Sequence, residues 1–597
     1  MLSHDPLARV LTVDLSQHSF AIDERPDLFE AALGGAGVAI RLLEETCPQG
    51  ADPLGKDNPI IFAVGPLVGH YPLASKTVAM FKSPHTGNLG ESHAGGRSAV
   101  SIRMAGYGAI VIVGQSESPV YLVIEDGQVH FRDASALWGL RSSYTVGSVL
   151  REREQGSGHR SIMRIGLAGE KQVSYACVIT ETYRHFGRLG LGAVFGSKNL
   201  KAIVISGSRT LPVADPRRYR AQYNALYKEA TGSVLMKKYH DIGTPINVLP
   251  LNELGALPTR NLQAARFAAA EALSGETMAE QYLGRRLACS HCPVACIHIA
   301  ALRTPQPSEP YFYKTSMLSY DYEPIFALGT MLGISDASGM LRLMDEVEIQ
   351  GLDAMSAGVT LAWATEALER GLVTLTHTDS VALTWGDADA AIEAVRRLVT
   401  QPTDFYRALA RGVAHASSIY GGEDFALAFG GNEMPGYHTG PAGYLGYLLG
   451  ARHSHLDNAG YSIDQNNLAS GTQPTVEGLV DQLLEEERWR QVLSSLVVCF
   501  FSRGLYTPEA ILEALATVGF ESDKARLREL GADVLHRKYQ FKRREGFDPL
   551  SQPIPRRILE TASPSGPISE TVIRQTLRRF ASMESGDQDA LNGDVIE

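Results

Sequence analysis

The stretch ACSHCPVACIH, Ala288–His298, places three of the chain's six cysteines at C-x2-C-x3-C spacing. Three thiols that close can bind one metal centre from a single loop, so the identity of the fourth ligand decides what the loop holds. Structural zinc sites bring two pairs of ligands, or one pair plus two histidines. No second C-x2-C exists here, although His291 and His298 lie alongside. An iron–sulfur cluster takes four thiolates, commonly three from a compact loop and one from far away in the chain. Cys47, Cys177 and Cys499 remain for that distant place, and spacing does not choose among them.

Composition narrows the setting. A chain of 597 residues is too long for one hydrophobic core and implies several domains. Its 44% hydrophobic and 20% charged content is that of a globular protein, and a net charge of -11 argues against a nucleic-acid surface. No apolar run approaches the roughly 18 residues needed to cross a bilayer; SSLVVCFF (494–501) is core-sized. The N-terminus lacks a basic segment followed by an apolar one, and six cysteines in so long a chain make no disulfide scaffold. A reducing cytoplasm is the expected location, where clustered thiols commonly mean metal.

The first 208 residues read as strand-rich: RVLTVDL (9–15), PIIFAVGPL (59–67), AIVIVG (109–114), VYLVIEDGQVHFRD (120–133) and KAIVISG (201–207) are short β-branched runs bounded by turn residues. Between them AALGGAGVAIRLLEET (31–46) reads as a helix. Its glycines fall short of a dinucleotide fingerprint and suit tight helix packing. From 209 to 420 the pattern turns helical, as in ASGMLRLMDEVEIQ (337–350) and VTLAWATEALERG (359–371). A loop-rich stretch at 421–450 opens a third region running to 597, with VEGLVDQLLEEERWRQVLSSL (476–496) as its clearest helix. The polar, acidic tail after 582 reads as a frayed terminus. No internal repeat is visible.

Two glycine-rich loops, GESHAGGRSAV (90–100) and YRHFGRLGLGAVFGSKNLKAI (183–203), carry Arg97, Arg184 and Arg188. Such loops expose backbone N–H groups to an anion and the arginines add forked phosphate contacts; turns with surface arginines are the plainer alternative.

Together these segments resemble the aldehyde:ferredoxin oxidoreductase family of tungsten enzymes. GPLVGHYP (65–72), KSPHTG (82–87), AGYGAIVIVG (105–114), LGAVFGSKNLKAI (191–203), CSHCPVAC (289–296), YEPIFALGTMLGISD (322–336), GLDAMSAGVTLA (351–362) and Cys499 stand in family order from about Arg9 to Leu559. The resemblance implies an α+β fold: an N-terminal two-sheet β-rich base domain, then two mainly helical domains, with the cofactor at their interface. That cofactor would be tungsten, or molybdenum, held by two pyranopterin dithiolenes beside a [4Fe-4S] cluster on Cys289, Cys292, Cys296 and Cys499. Cys47 and Cys177 match no family ligand and read as buried, inert thiols.

By the same resemblance, Ala94, Gly95, Gly96, Gly187, Arg97, Arg184 and Arg188 match phosphate-holding positions, and Mg2+ bridging the pterin phosphates would take the carbonyls of His93 and His185. Lys76 stands where the best-known branch has arginine, keeping the charge without the fork. Glu323 matches an acidic residue near tungsten, and His455 matches the pocket histidine, with His453 as its rival because the loop is one residue shorter. Without the resemblance, Glu323 would read as a helix N-terminal charge and either histidine as structural.

The family's pterin-edge motif, D-x-x-G-L-[D/C], is altered. The first copy reads Glu348-Ile-Gln-Gly351-Leu352-Asp353. The second reads Ser494-Ser-Leu-Val-Val498-Cys499, without its acid or its Gly-Leu pair. The implied activity is oxidation of an aldehyde to a carboxylic acid, with electrons leaving through the cluster to a ferredoxin or small iron–sulfur subunit. The alternatives are a low-potential reductase of another substrate, such as an aromatic acyl-CoA thioester, and a non-enzymatic relative. A homodimer or hetero-oligomer fits the family habit.

Overall fold

The structure is a computed structural model that describes residues 5–585 apart from 182, 307, 310 and 473. The tail beyond 585 therefore lies outside the described residues. The N-terminal part contains twelve strands: β1 (Arg9–Asp14), β2 (Ser19–Glu24), β3 (Ile60–Ala63), β4 (Thr77–Lys82), β5 (Leu89–Ala94), β6 (Ala109–Val113), β7 (Val120–Glu125), β8 (Gln128–Asp133), β9 (His159–Ile165), β10 (Val178–Thr180), β11 (His185–Phe186) and β12 (Leu200–Gly207). They form two six-stranded sheets, ordered β2-β1-β6-β3-β4-β5 and β8-β7-β12-β9-β10-β11. The second order is the first with every strand moved on by six. Pairing directions agree as well: β1–β6 and β7–β12 are parallel, and the other neighbours are antiparallel.

The base is therefore an internal duplication, which corrects the reading that no repeat exists. Strands such as β3, β4 and β12 are buried along their whole length. Any β-branched or aliphatic residue serves in such a strand, so the halves keep their order of strands without keeping their letters.

Helices dominate from Pro216–Gly232 onward. Aspartate caps begin Ala337–Gln350 and Ala354–Glu369, where Asp336 and Asp353 accept hydrogen bonds from the first free N–H groups. The helical region also holds a three-stranded antiparallel sheet, β13 (Leu283–Leu287), β14 (Ile297–Pro305) and β15 (Tyr313–Tyr320), whose first connection is the cysteine loop. The expected helix at 31–46 is two, Pro26–Ala32 and Gly35–Thr46, broken at Leu33 with φ 62°. A Cβ on Gly35 would stand 2.1 Å from the Ser494 carbonyl oxygen, so these glycines serve close packing.

The helical part grips the duplicated base at two equivalent points. Helix Ala337–Gln350 ends at Gly351 in the left-handed region, φ 80°, and Leu352 then bridges to Ala176. Helix Val476–Ser495 ends likewise: Val497 takes φ 54°, and Val498 bridges to Ala74. The next residues repeat the match, with Asp353 N–H donating to Tyr175 O at 3.0 Å and Cys499 N–H to Leu73 O at 2.9 Å. A β-branched residue pays roughly 1–2 kcal/mol to adopt that backbone, so the surrounding contacts must enforce it. The altered second motif has lost its glycine and retained the glycine's conformation.

Each grip closes against a glycine of the base. A Cβ on Gly166 would lie 2.2 Å from the Gln350 carbonyl oxygen, and one on Gly65 would lie 2.8 Å from that of Leu496. Both contacts are with backbone, which cannot rotate away. Gly166→Ala should therefore destabilise the protein by about 1–3 kcal/mol, the usual cost of overpacking, although alanine suits the local backbone angles. Denaturant unfolding of the variant beside the parent checks this; equal midpoints would mean that the grip is loose.

Candidate active site

The loop between β13 and β14 winds tightly, with His291 and Ala295 both at positive φ, and Cys292 N–H donates to Cys289 O at 3.1 Å. It docks on the base through Ser290 N–H to Gly96 O, 2.8 Å, and through Leu73 N–H to His291 O, 3.2 Å. Cys499 reaches the same place from the second grip. All four thiols are partly buried and unpaired by disulfides. Burial pushes the Cys296 thiol up to about 12, eased by Arg184 and reinforced by Cys499 and Cys289. Cys292 is raised by burial first, then by Cys289, Cys499 and Cys296. The four sulfurs thus share one neighbourhood. Among the described residues, no group of three or more His, Cys, Asp or Glu is drawn tightly enough to hold a single metal ion. Cys47 and Cys177 are both buried, and Cys177 is held protonated by burial.

The glycine-rich loops meet this thiol group. A Cβ on Gly95 would stand 2.8 Å from Cys289 Sγ and 3.5 Å from Lys76 Nζ, so the bare glycine keeps open the space between loop and cysteine. Arg184 Nη1 donates to Asp321 Oδ2 at 2.7 Å. Burial disfavours its charge, but Asp321 and the neighbouring Cys296 and Cys289 outweigh that and raise its pKa. Gly187 has nothing but the Cβ of His185 near its own Cβ position, at 3.9 Å. Arg188 Nε donates to Asp353 Oδ2 at 3.2 Å and Nη2 to Glu433 O at 2.7 Å, while Nη1 is buried with no protein partner. Arg97 stands apart, exposed at the start of helix Ser98–Ala105.

The two halves carry the motif acid differently. In the first, His185 Nε2 lies 2.8 Å from Glu348 Oε2. In the second, Ser494 offers no carboxylate, and His93 on β5 pairs instead with Glu91 of its own strand, 2.7 Å. Glu91 is also held 2.5 Å from Lys538 of helix Lys524–Arg544. Burial alone would raise the Glu91 carboxyl, yet Lys538 and His93 carry it well below the usual carboxylate range.

Glu323 lies in the first turn of the helix Tyr322–Leu328, where β15 delivers the chain beside the cysteines. Its Oε1 is 3.3 Å from His455 Nε2 and accepts from Tyr437 OH at 3.2 Å. Burial would raise its pKa, but the bonds from His455 and Tyr437 lower it below the ordinary value. Tyr437 stacks on Tyr461 at 4.4 Å and lies 5.1 Å from the His455 ring, so aromatic faces wall the pair. His455 Nδ1 is buried and has no protein partner. His453 differs: its Nδ1 lies 2.9 Å from Tyr447 O and its Nε2 2.8 Å from Lys542 Nζ. With both nitrogens engaged, burial and Lys542 depress its pKa well below normal.

Tyr437, Asp321 and Glu91 are the additions that sequence reading missed. Each has a partner far away in the chain, and although Glu91 lies within the glycine-rich stretch 90–100, nothing there announces its pairing with Lys538. His455 Nδ1 and Arg188 Nη1 are buried polar atoms without protein partners among the described residues, and bare Gly95 leaves space beside Cys289. Such atoms are costly unless another group meets them, so the residues present fit a large polar cofactor bearing phosphates and metal.

Comparison with known proteins agrees. The profile of the aldehyde ferredoxin oxidoreductase N-terminal domain matches residues 10–207, and that of the family's domains 2 and 3 matches 221–584. The tungsten-containing aldehyde ferredoxin oxidoreductase of Thermococcus kodakarensis is 32% identical, covering 97% of this chain and 96% of its own. The WOR-like subunit of the aliphatic sulfonate oxidoreductase of Pyrococcus furiosus is 29% identical over 68% of this chain and 66% of its own. Among solved structures, the active-site complex BamBC of benzoyl coenzyme A reductase with 1,5-dienoyl-CoA superposes with a TM-score of 0.78 at 20% identity, covering 97% and 94% of the two chains. The chain belongs to the aldehyde ferredoxin oxidoreductase family, as a divergent branch of it.

Proposed function

We propose that the protein is a tungsten–pterin oxidoreductase that converts an aldehyde and water to a carboxylic acid, releasing two protons and two electrons. The observation that carries this reading is the Glu323–His455 pair, 3.3 Å apart, buried, and with one histidine nitrogen left free. When bound, the bis-pyranopterin supplies a metal that accepts two electrons without needing a protein side chain as ligand.

The chain's own residues then divide the work. Lys76, Arg184 and Arg188, with the backbone of Ala94, Gly95, Gly96 and Gly187, would hold the pterin phosphates, and the carbonyls of His93 and His185 would hold Mg2+, whereas Arg97, exposed and apart, would not take the phosphate role that the resemblance implies for it. Glu348, Gly351, Leu352, Asp353 and Val498 line the pterin edges. Cys289, Cys292, Cys296 and Cys499 would hold a [4Fe-4S] cluster, which would supply an electron exit toward a ferredoxin or small iron–sulfur subunit. Glu323, ionised at neutral pH, takes a proton at its carboxylate from the water that attacks the aldehyde carbon. His455 orients the carbonyl oxygen through Nδ1. The walls of Tyr437 and Tyr461 exclude bulk water and sharpen both contacts.

A second reading, reduction of an aromatic acyl-CoA thioester, draws on the full-length likeness to the benzoyl coenzyme A reductase fold and on the altered second motif. Reduction of a thioester by reduced holoenzyme, without aldehyde-dependent dye reduction, would favour it. A non-enzymatic relative fits least, because all four cysteines are retained.

About one tungsten and four irons per chain are expected in anaerobically purified protein, read by inductively coupled plasma mass spectrometry. Cys499→Ser should lower the iron content while far-ultraviolet circular dichroism stays unchanged; full iron would remove Cys499 from the ligand set. Glu323→Gln should cut aldehyde turnover by about 10²–10⁴, with metal content intact. Unaltered turnover in that variant would show that the proton goes elsewhere.

A further inference from the structure

The duplication lets the two halves of the site be compared residue by residue, and they differ in the source of one carboxylate. Lys76 N–H donates to Val497 O at 3.3 Å and Cys177 N–H to Gly351 O at 2.9 Å, so Lys76 and Cys177 are equivalent. Two residues on, Val78 stands opposite His93, and Ile179 opposite His185. His93 and His185 are therefore one position in two copies. Each has Nε2 beside a carboxylate oxygen, at 2.7 and 2.8 Å. The acid of the first copy, Glu348, comes from the motif helix, five residues before Asp353. Its equivalent in the second copy is Ser494, five before Cys499, and there the acid comes from the base itself, as Glu91 on β5. Two residues before its histidine, the first copy has Tyr183 in place of an acid. Each histidine thus has one carboxylate, drawn from a different element.

Glu91 reaches the second motif helix by a relay. Its Oε1 meets His93, its Oε2 lies 2.5 Å from Lys538 Nζ, and Lys538 Nζ donates to Gln491 Oε1 at 2.5 Å. Gln491 and Ser494 lie one turn apart on the same face of helix Val476–Ser495. In the first half one contact, Glu348 to His185, joins the motif helix to the strand that carries the histidine. In the second half the same two elements are joined through Glu91, Lys538 and Gln491. The side chains of Glu91 and Lys538 are each 1% exposed. An ion pair so deeply buried gains little over an apolar pair of the same shape, so packing alone does not call for it. The tie between strand and helix does.

We propose that Glu91, held by Lys538, is a positioning residue that replaces the acid missing at Ser494 and fixes His93 and its strand for the second pterin. This deepens the cofactor reading given above and rests on it. Glu91 itself touches no cofactor atom, because His93 occupies one carboxylate oxygen and Lys538 the other. It acts through His93, whose carbonyl would face Mg2+, and through the adjoining Ala94, Gly95 and Gly96. A residue that carries a ligand loses its orientation when its outer partner is removed, and such partners commonly matter about 10–100-fold in metal affinity.

The test measures what the holoenzyme retains, not what it turns over. Full-length parent and variants are purified anaerobically and desalted. Pterin per chain is read by fluorescence after acid iodine oxidation, and tungsten by inductively coupled plasma mass spectrometry. Glu91→Gln should retain on the order of tenfold less pterin than the parent. Adding Ser494→Glu to that variant returns the acid to the motif helix and should restore the pterin. The exchange Glu91→Lys/Lys538→Glu keeps a buried ion pair but sets a lysine beside His93. It should unfold near the parent's temperature and still lose pterin. Where Glu91→Gln alone fails to fold, the exchange and the rescued variant decide. Parent-level pterin in Glu91→Gln or in the exchange would overturn the proposal and leave the pair a structural one. A folded Glu91→Gln/Ser494→Glu protein without restored pterin would overturn the replacement of one acid by the other. Parent protein lacking pterin and tungsten would overturn the cofactor reading, and this proposal with it.

Discussion

The two left-handed helix ends at Gly351 and Val497 are the constraint on which the rest of the structure depends. Each turns its chain so that the following residue bridges to an alanine of the base, Ala176 or Ala74, and the one after donates to the base backbone. Those turns deliver Asp353 to Arg188 and Cys499 to the loop of Cys289, Cys292 and Cys296. Without them the helical part would have no register on the two sheets. The cost of holding valine at φ 54° measures how firmly the surrounding packing specifies that turn.

Much of this was legible in the sequence. The β-branched runs at 9–15, 109–114 and 201–207 became strands whose apolar residues are mostly buried, and the helices at 337–350 and 476–495 followed from apolar spacing and aspartate or threonine caps. The duplication escaped notice because its halves share order and close approaches rather than residue identity. Gly65 and Gly166 carry the signal, but a glycine after a strand looks like any turn. The sheet of β13, β14 and β15 was missed for another reason: its strands include exposed, mixed-polarity stretches such as LGRRL, so neither alternation nor a continuous apolar run marks them.

The site divides along the same line. The cysteines and the glycine-rich loops announce themselves by local spacing, since one loop needs them close together. Glu323 and His455 do not, because their partnership exists only after the third region folds back onto the second. What distinguishes His455 from His453 is hydrogen bonding. One ring has both nitrogens occupied by Tyr447 and Lys542; the other keeps a nitrogen for whatever enters. A one-residue difference in loop length cannot be decided by letters alone, whereas the hydrogen bonds of the two rings favour His455 for the proposed role.

The order of the chain also bears on biosynthesis. The duplicated base is complete when residue 207 leaves the ribosome, and its strands join mostly near neighbours. The first grip arrives long afterwards, and the second, with the last cysteine, later still. A nascent chain therefore exposes a finished cradle before anything can close over it. The long interval between Cys296 and Cys499 keeps the fourth thiol from the other three for much of translation. The end of helix Val476–Ser495, seated on Ala74, is thus the later of the two grips to be made.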